Sequence, residues 1–330
     1  MICTLRVRLK MTEAMAKKWM RVTKHNRCPM CGKPDWCLIS QDGKVAICAR
    51  IESNILAGKK GAGWIHTLDH SMLLPSPKPR LALKQIQKAA PDVLDTAYRA
   101  LLAELILSEV HRENLQCRGL IDIEIVRLGY RTLPVYGRRD LVTRIQAMSA
   151  RLVGVPGFYL DAGQWQLAGS AGILIPVRDV KRRIVGLQIR CDHAEGGKYK
   201  WLSSKGFNAG CSPGVPVHVA GPVSVTCEIW ITEGPIKADI AALKLGRVVL
   251  AVPGVSNWPG VIPIIRELKP ERVIISFDMD KNQNAAVRLH MDTLTACLIR
   301  RGVRTFEADW DNQFKGLDDL LTAGGQICQK

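Results

Sequence analysis

The spacing of hydrophobic residues changes along the chain. Apolar residues at helical spacing predict one long helix over 92–114, and similar patterns predict helices over 12–21 and 138–152. Residues 172–178 and 183–190 are apolar runs joined by a polar turn, which predicts a β-hairpin. From residue 228 onward, apolar strands alternate with helical patterns: strands at 228–232, 247–252, 272–277 and 304–308, helices at 236–245, 259–268 and 284–301. This alternation predicts a parallel sheet covered by helices on both faces.

The distribution of charge adds to this picture. The chain has 330 residues, of which 47% are hydrophobic and 23% charged, and this composition is typical of a globular protein and not of a disordered one. Residues 1–100 contain 18 Lys and Arg against 7 Asp and Glu, whereas residues 231–330 contain 13 against 12. We therefore expect the front of the chain to bind a polyanion and the back to carry the chemistry.

The sequence also indicates where the protein acts. It has no apolar run long enough for a membrane span, and its first residues lack the apolar core of a secretory signal. We expect a cytoplasmic, nucleoid-associated protein with no membrane partner. Met1 and Met11 are both candidate start residues.

Four of the eleven cysteines lie close together in the sequence. Cys28, Cys31, Cys37 and Cys48 have the spacing of a zinc ribbon, in which a Cys-x2-Cys turn supplies two ligands of a tetrahedral site. The alternatives are that His25 replaces Cys37 as a ligand, or that all four thiols are buried without metal. Trp36 lies among basic residues and is a candidate for stacking on the bases of single-stranded nucleic acid; the alternative is that it forms the small core of the ribbon.

Prolines and composition divide the chain into four regions. We expect a basic N-terminus and zinc ribbon over 1–70, a proline-rich linker over 71–90, a basic α+β subdomain over 91–222 and a catalytic domain over 223–330.

Acidic residues follow two of the predicted strands. Glu233 ends one strand, and Asp278 and Asp280 end another on the same face. The carboxyl ends of parallel strands meet at one sheet edge, so these carboxylates are expected to gather there as ligands for Mg²⁺ or Mn²⁺. Lys237 begins the next predicted helix, where it is placed to contact a triphosphate.

These residues also resemble a known family. Three segments are similar to the acidic motifs of TOPRIM proteins: ITEGPIKAD (231–239), FDMD (277–280) and KGLDDLL (315–321). Two further segments are similar to the basic subdomain that precedes TOPRIM in replicative primases: residues 172–190 and KYKWLSS (198–204). The short run RGL (118–120) is similar to an element ahead of that subdomain. The chain thus resembles the zinc-ribbon TOPRIM primases of plasmids and phages, distant relatives of the bacterial replicative primase.

The resemblance implies a fold, an activity and a set of site residues. The fold is α/β: a four-cysteine ribbon, a middle α+β subdomain, and a C-terminal TOPRIM domain with a parallel sheet flanked by helices. Glu233, Asp278 and Asp280 would be catalytic and would bind Mg²⁺ together with Asp318. Template DNA and nucleotides would be bound by a basic set that consists of Arg178, Arg190, Lys198, Lys200, Lys205 and Lys315.

The implied activity is primer synthesis. A DNA primase joins nucleoside triphosphates on single-stranded DNA, with structural zinc and catalytic Mg²⁺ or Mn²⁺. No phosphate-loop motif occurs in the sequence, so a replicative helicase would be a separate chain. The alternatives are a TOPRIM nuclease, which uses the same acidic residues, and a non-catalytic DNA-binding protein with a zinc ribbon and a TOPRIM domain.

Overall fold

A computed structural model divides the chain into two compact parts, residues 1–81 and 82–330. The residues that it describes are 19–57, 63–68, 86–148, 150–193, 197–224, 227–279 and 284–329. Met1, Met11, most of the predicted linker and Asp280 lie outside these residues. None of the described helices has both the length and the apolar character that a membrane span requires.

The N-terminal part is a small antiparallel sheet. Its strands, which pair in sequence order, are β1 (Trp19–Arg21), β2 (Leu38–Ser40), β3 (Val45–Cys48) and β4 (Trp64–Thr67). The predicted helix over 12–21 is wrong at residues 19–21, because β1 pairs with β2 in a strand ladder, and its first seven residues lie outside the described chain. Few apolar side chains are buried here, and they surround the cysteines.

A second antiparallel sheet, the middle sheet, lies in the C-terminal part with strand order β10-β9-β8-β5. The elements of this region are α1 (Pro91–Ala103), α2 (Glu109–Gln116), α3 (Asp122–Leu128), β5 (Arg131–Leu133), α4 (Arg138–Ala147), β6 (Phe158–Asp161), β7 (Gln164–Leu167), β8 (Gly172–Arg178), β9 (Ile184–Cys191) and β10 (Tyr199–Trp201). The predicted hairpin is present as β8 and β9. β8 is buried on both faces, because one face packs on α1 and the other on the helix that begins at Pro235; β9 packs on α1 with one face.

The long helix predicted over 92–114 is two helices. α1 ends at Ala103, and α2 begins after Ser108, which has an extended backbone. The backbone N–H of Ser108 donates to Thr132 Oγ1 at 2.9 Å instead of continuing the helix. Apolar spacing alone did not reveal this break, because the intervening residues, Leu105 to Leu107, are also apolar.

The C-terminal sheet has strand order β11-β13-β12-β14-β15-β16. Its elements are β11 (His218–Ala220), β12 (Glu228–Glu233), α5 (Pro235–Leu245), β13 (Val248–Val252), a 3-10 turn (Val255–Gly260), α6 (Val261–Leu268), β14 (Arg272–Ile275), α7 (Ala285–Ile299), β15 (Arg304–Asp309), α8 (Leu317–Thr322) and β16 (Cys328–Gln329). The four central strands are parallel, as predicted, whereas β11 and β16 add antiparallel edges. The predicted domains 91–222 and 223–330 both fall in residues 82–330, so the boundary between them stays a prediction.

A buried polar network joins the middle region to the C-terminal sheet. Asp239 of α5 accepts hydrogen bonds from the Tyr130 hydroxyl at 2.6 Å and from His218 Nε2 at 3.0 Å. His218 Nδ1 accepts the backbone N–H of Arg178 at 3.0 Å. Burial alone would raise the pKa of Asp239, but its interaction with His218 and the hydrogen bond of Tyr130 outweigh burial and lower it. This network fixes α5, which begins at the candidate site.

Candidate functional site

The four predicted zinc ligands are brought together by the N-terminal sheet. Their ligand atoms all lie within 4.8 Å of one another, with Sγ–Sγ distances of 3.7 Å for Cys31–Cys37 and 3.9 Å for Cys37–Cys48. Zinc–sulfur bonds of about 2.3 Å in a tetrahedron require edges of roughly 3.8 Å, so the spacing fits Zn²⁺. The exposed His25 is not part of the cluster. The structure therefore brings the four cysteines together, and their cluster supports a structural zinc site.

Backbone amides surround the sulfur atoms. The N–H of Ala49 points at Cys37 Sγ at 3.4 Å, and those of Arg50 and Ile51 point at Cys48 Sγ at 3.4 and 3.2 Å. Such amides stabilise thiolates and fix their orientation around a metal. They come from the tight turn that directly follows β3.

The guanidinium of Arg50 also faces the cluster. Arg50 Nη1 lies 3.9 Å from the sulfurs of both Cys31 and Cys37, and Nη2 donates to Asp35 Oδ1 at 2.7 Å. Four thiolates around one divalent ion leave a net negative charge, which this cation offsets. Arg50 is one of the basic residues near Trp36 in the sequence, and its position beside the sulfurs was not predicted.

The thiols differ in their acidity. Burial would raise the pKa of Cys31, but hydrogen bonds from the backbone of Lys33 and from the thiol of Cys28 outweigh burial and lower it to about 6. Burial raises the pKa of Cys37 to about 12. Zinc binds thiolates, so metal binding releases protons and strengthens as the pH rises.

Trp36 lies on the surface of the N-terminal part. Its side chain is 81% exposed, which is inconsistent with the alternative that it forms the ribbon's core. Its φ of 65° lies in the left-handed region, unusual for a bulky residue. The basic residues nearby in sequence are also exposed: Lys24, Arg27, Lys33 and Lys44.

The predicted acidic edge lies at the carboxyl ends of two neighbouring parallel strands. Glu233 is the last residue of β12, and Asp278 follows β14. Lys237, in the first turn of α5, contacts Asp278 Oδ1 with its ammonium group. All three line one cavity of 220 Å³. Asp280 lies outside the described residues.

The late acidic motif adds a buried carboxylate beside this cavity. Asp318 is buried, and its Oδ2 accepts a hydrogen bond from Arg118 Nη2 at 2.6 Å. The neighbouring Asp319 is exposed and accepts the Gly316 N–H, which is an ordinary helix cap. A Cβ added to Gly316 would lie 2.6 Å from Asp318 Oδ1 and 3.1 Å from Lys237 Nζ, so both groups border this glycine.

The middle sheet supplies the opposite wall of the cavity. Gln188 of β9 and Tyr199 of β10 line it together with Glu233 and Asp278. Cross-strand pairing places Tyr199 opposite Arg190, and residues 188 and 190 share one face of β9. The Tyr199 hydroxyl and Arg118 Nη1 are 3.4 Å apart. This face of the middle sheet therefore borders the acidic edge.

The predicted basic residues occupy different environments. Arg178 is buried, its Nη2 donates to the Leu128 carbonyl at 2.7 Å, and burial lowers its pKa. This buried position suits packing and not contact with template or nucleotide. Arg190 contacts the Asn114 side chain from the middle sheet. The remaining members are exposed Lys198, Lys205 and Lys315, and half-buried Lys200 on the face of β10 opposite to Tyr199.

The donor set at the acidic edge fits a divalent cation by its chemistry. Carboxylate oxygens are hard ligands, and the buried Asp318 Oδ1 has no hydrogen-bond partner among the described residues. The ammonium of Lys237 already places one positive charge against Asp278. Within the described ranges, only the four cysteines bring three or more ligand atoms of His, Cys, Asp or Glu within 4.8 Å.

Sequence reasoning missed three residues at this site: Arg118, Gln188 and Tyr199. Arg118 was noticed only within the RGL run, without a role. The sequence does single out Gln188, because it is a polar residue inside an apolar strand. It lies two residues before Arg190, so the two side chains share one face of that strand. The position of Tyr199 depends on strand register, which the sequence did not define.

Comparison with known proteins places the fold. Residues 223–328 match the model of a family described as a domain of unknown function (DUF3854). No curated protein matches the sequence. The RNA polymerase domain of Mycobacterium tuberculosis primase DnaG is similar with a TM-score of 0.55 and 15% identity, over 72% of this chain and 82% of that one.

Two further solved structures give the same result. The zinc-binding and RNA polymerase domains of the Aquifex aeolicus primase align with a TM-score of 0.55 and 13% identity, over 92% of this chain and 78% of that one. A DnaG primase catalytic domain bound to single-stranded DNA aligns with a TM-score of 0.53 and 15% identity, over 71% of this chain and 75% of that one. The chain therefore shares the fold of primase catalytic domains and carries an N-terminal four-cysteine cluster.

Proposed function

We propose that this chain is a DNA primase that makes short RNA primers on single-stranded DNA by metal-dependent nucleotidyl transfer. The observation that supports this most directly is the cavity at the carboxyl edge of the parallel strands, lined by Glu233, Lys237 and Asp278. The fold that the chain shares with primase catalytic domains supports the same proposal independently. A cavity that combines carboxylates with a lysine suits a metal-bound triphosphate.

Each residue of the edge has a proposed task. Glu233, Asp278, Asp280 and Asp318 would hold Mg²⁺ or Mn²⁺, which when bound polarises the reacting phosphate and activates a hydroxyl nucleophile. Lys237 would leave Asp278 and bind the phosphates of the incoming nucleotide. Arg118 donates a hydrogen bond to Asp318 Oδ2 and would hold this carboxylate in its orientation.

Template binding is proposed for two basic surfaces. The exposed Trp36 and its basic neighbours suit stacking on the bases of single-stranded DNA. Arg190, Lys198, Lys200 and Lys205, with Lys315 near the edge, would contact template or nucleotide phosphates. Action in plasmid or phage replication, association with the nucleoid and cooperation with a separate helicase rest on the family resemblance alone.

A primer-synthesis assay tests this function. Single-stranded DNA is incubated with labelled ATP, the other nucleotides and Mg²⁺ or Mn²⁺. The wild type is compared with Asp278→Asn and with Asp161→Asn, an exposed aspartate of β6 that serves as the matched control. The proposal expects short oligonucleotides from the wild type and the control but not from Asp278→Asn. DNA cleavage without new product would indicate a nuclease, and equal DNA binding by all three without product would indicate a non-catalytic protein.

A further inference from the structure

The cavity at the acidic edge contains a buried polar group to which the proposed chemistry gives no task. Gln188 lines it from the middle sheet and is 6% exposed. Its Oε1 has no hydrogen-bond partner among the described residues. A buried acceptor without a donor is costly, and native proteins rarely leave one unless a ligand or water supplies the hydrogen bond.

The surroundings of Gln188 do not provide that donor. Cross-strand pairing places it between Ile175 of β8 and Trp201 of β10. Neither side chain accounts for the unpaired oxygen: isoleucine has no polar group, and the indole of Trp201 does not donate to Oε1. The Gln188 side chain therefore lies between these neighbours in the wall of the cavity, with its oxygen buried and unpaired.

The rest of the cavity limits what the donor can be. Glu233, Lys237 and Asp278 define the end at which phosphates and metal would bind, and Gln188 lines the same 220 Å³. In a nucleotide the sugar is bonded directly to the reacting phosphate, whereas the base edge extends further away. The glutamine side chain lines the cavity next to the phosphate end, so it would meet the sugar of a bound nucleotide. The hydroxyls of that sugar are hydrogen-bond donors.

We propose that Gln188 selects ribonucleotides by accepting a hydrogen bond from the 2′-hydroxyl of the incoming nucleotide. This inference rests on the proposed nucleotide-binding function of the cavity. A 2′-deoxynucleotide would leave Oε1 buried and unpaired. Sites built around a substrate hydroxyl reject the analogue that lacks it for this reason.

Equilibrium binding to the full chain in the presence of Mg²⁺ tests the inference. The ligands are ATP, 2′-deoxy-ATP and 3′-deoxy-ATP, and the variants are Gln188→Met, Gln188→Asn and the control Gln146→Leu on the exposed face of α4. Methionine matches glutamine in length and removes the unpaired oxygen, so Gln188→Met is expected to keep or raise the melting temperature. A purely structural glutamine would instead give a lower one.

The expected result is a loss of discrimination. The wild type and Gln146→Leu should bind ATP roughly 5- to 150-fold more tightly than 2′-deoxy-ATP. In Gln188→Met the ratio should fall to near one, through weaker ATP binding. Gln188→Asn, whose shorter side chain retracts the amide, should lie between them.

Three results would overturn the inference: no preference in the wild type, a preference that Gln188→Met retains, or loss of discrimination against 3′-deoxy-ATP instead. The primer assay separates this outcome from failure of the proposed function. Primers made by Gln188→Met with the wild-type ribonucleotide preference reject only the role of Gln188. A binding preference that depends on Gln188 in a protein that makes no primers rejects only primer synthesis.

Discussion

Breaking the Arg118–Asp318 ion pair by removing one partner should strongly destabilise the C-terminal part. The Asp318 side chain is 2% exposed and that of Arg118 21%, and their closest atoms are 2.6 Å apart. Removal of one partner from a buried pair leaves an uncompensated charge and typically costs about 3–5 kcal/mol. Arg118→Leu should therefore lower the free energy of unfolding by about that amount.

A double variant separates this charge effect from lost packing. Arg118→Leu with Asp318→Leu replaces the buried pair by apolar side chains, a change that is often close to neutral. The double variant should therefore be more stable than Arg118→Leu alone. The control is Arg304→Leu, because Arg304 pairs with Glu271 at 3.5 Å with both side chains about two-thirds exposed, where a pair contributes roughly 0–1 kcal/mol.

Urea unfolding of the full chain measures these effects. Tryptophan fluorescence reports the transition, and hydrogen exchange resolved to α8 locates the loss. The reasoning is refuted if Arg118→Leu costs no more than the Arg304→Leu control. It is equally refuted if the losses of the two single variants simply add in the double variant, since independent sites would behave that way.

Three further predictions concern the zinc site, the buried network and the site glycine. Metal analysis should find one zinc ion in the wild type; Cys48→Ser should lose this ion, whereas Cys117→Ser, at an exposed cysteine outside the cluster, should keep it. Tyr130→Phe removes a hydrogen bond to the ionised Asp239 and should lower the free energy of unfolding, measured in urea, by about 1.5–3 kcal/mol. The folded pKa of the Asp239 carboxyl is lowered, so its contribution to stability is present above the unfolded pKa of about 3.9 and is lost as the pH falls. The difference in unfolding free energy between Tyr130→Phe and the wild type should therefore shrink in acid. Gly316→Ala places a methyl group 2.6 Å from Asp318 Oδ1 in α8. It should reduce primer synthesis strongly while it lowers the melting temperature only slightly.

The parts of the fold that follow from local patterns were predictable. Strands and helices from residue 228 onward alternate cleanly, because the parallel strands β12, β13 and β14 are almost wholly buried and the crossover helix α6 is amphipathic. The zinc ligands were predictable for a different reason, since their spacing encodes a turn that closes on itself. The break between α1 and α2 was not, because it depends on a hydrogen bond to Thr132, 24 residues away.

The candidate site shows the same limit. Glu233 and Asp278 are strand-end residues, so topology alone brings them to one edge. Arg118 reaches Asp318 across 200 residues of sequence, and nothing in the local pattern of either motif indicates that they meet. Arg178 is a basic residue at the end of a predicted strand, which is what a residue that binds DNA on the surface would look like in the sequence. In the structure that side of the sheet is covered, and the guanidinium is buried. Parity along a strand identifies a shared face but not which face is covered.

The balance of charge at the edge connects the proposed metal to the proposed substrate. Among the described residues, Glu233, Asp278 and Asp318 are opposed by Lys237 and Arg118, and each of these cations already contacts one carboxylate. A triphosphate that approached this edge would meet these carboxylates, and like charges repel. Under the proposed function, a divalent cation held by the carboxylates would lower that repulsion, and Lys237 would then exchange Asp278 for the phosphates. We therefore expect metal and nucleotide each to strengthen the binding of the other.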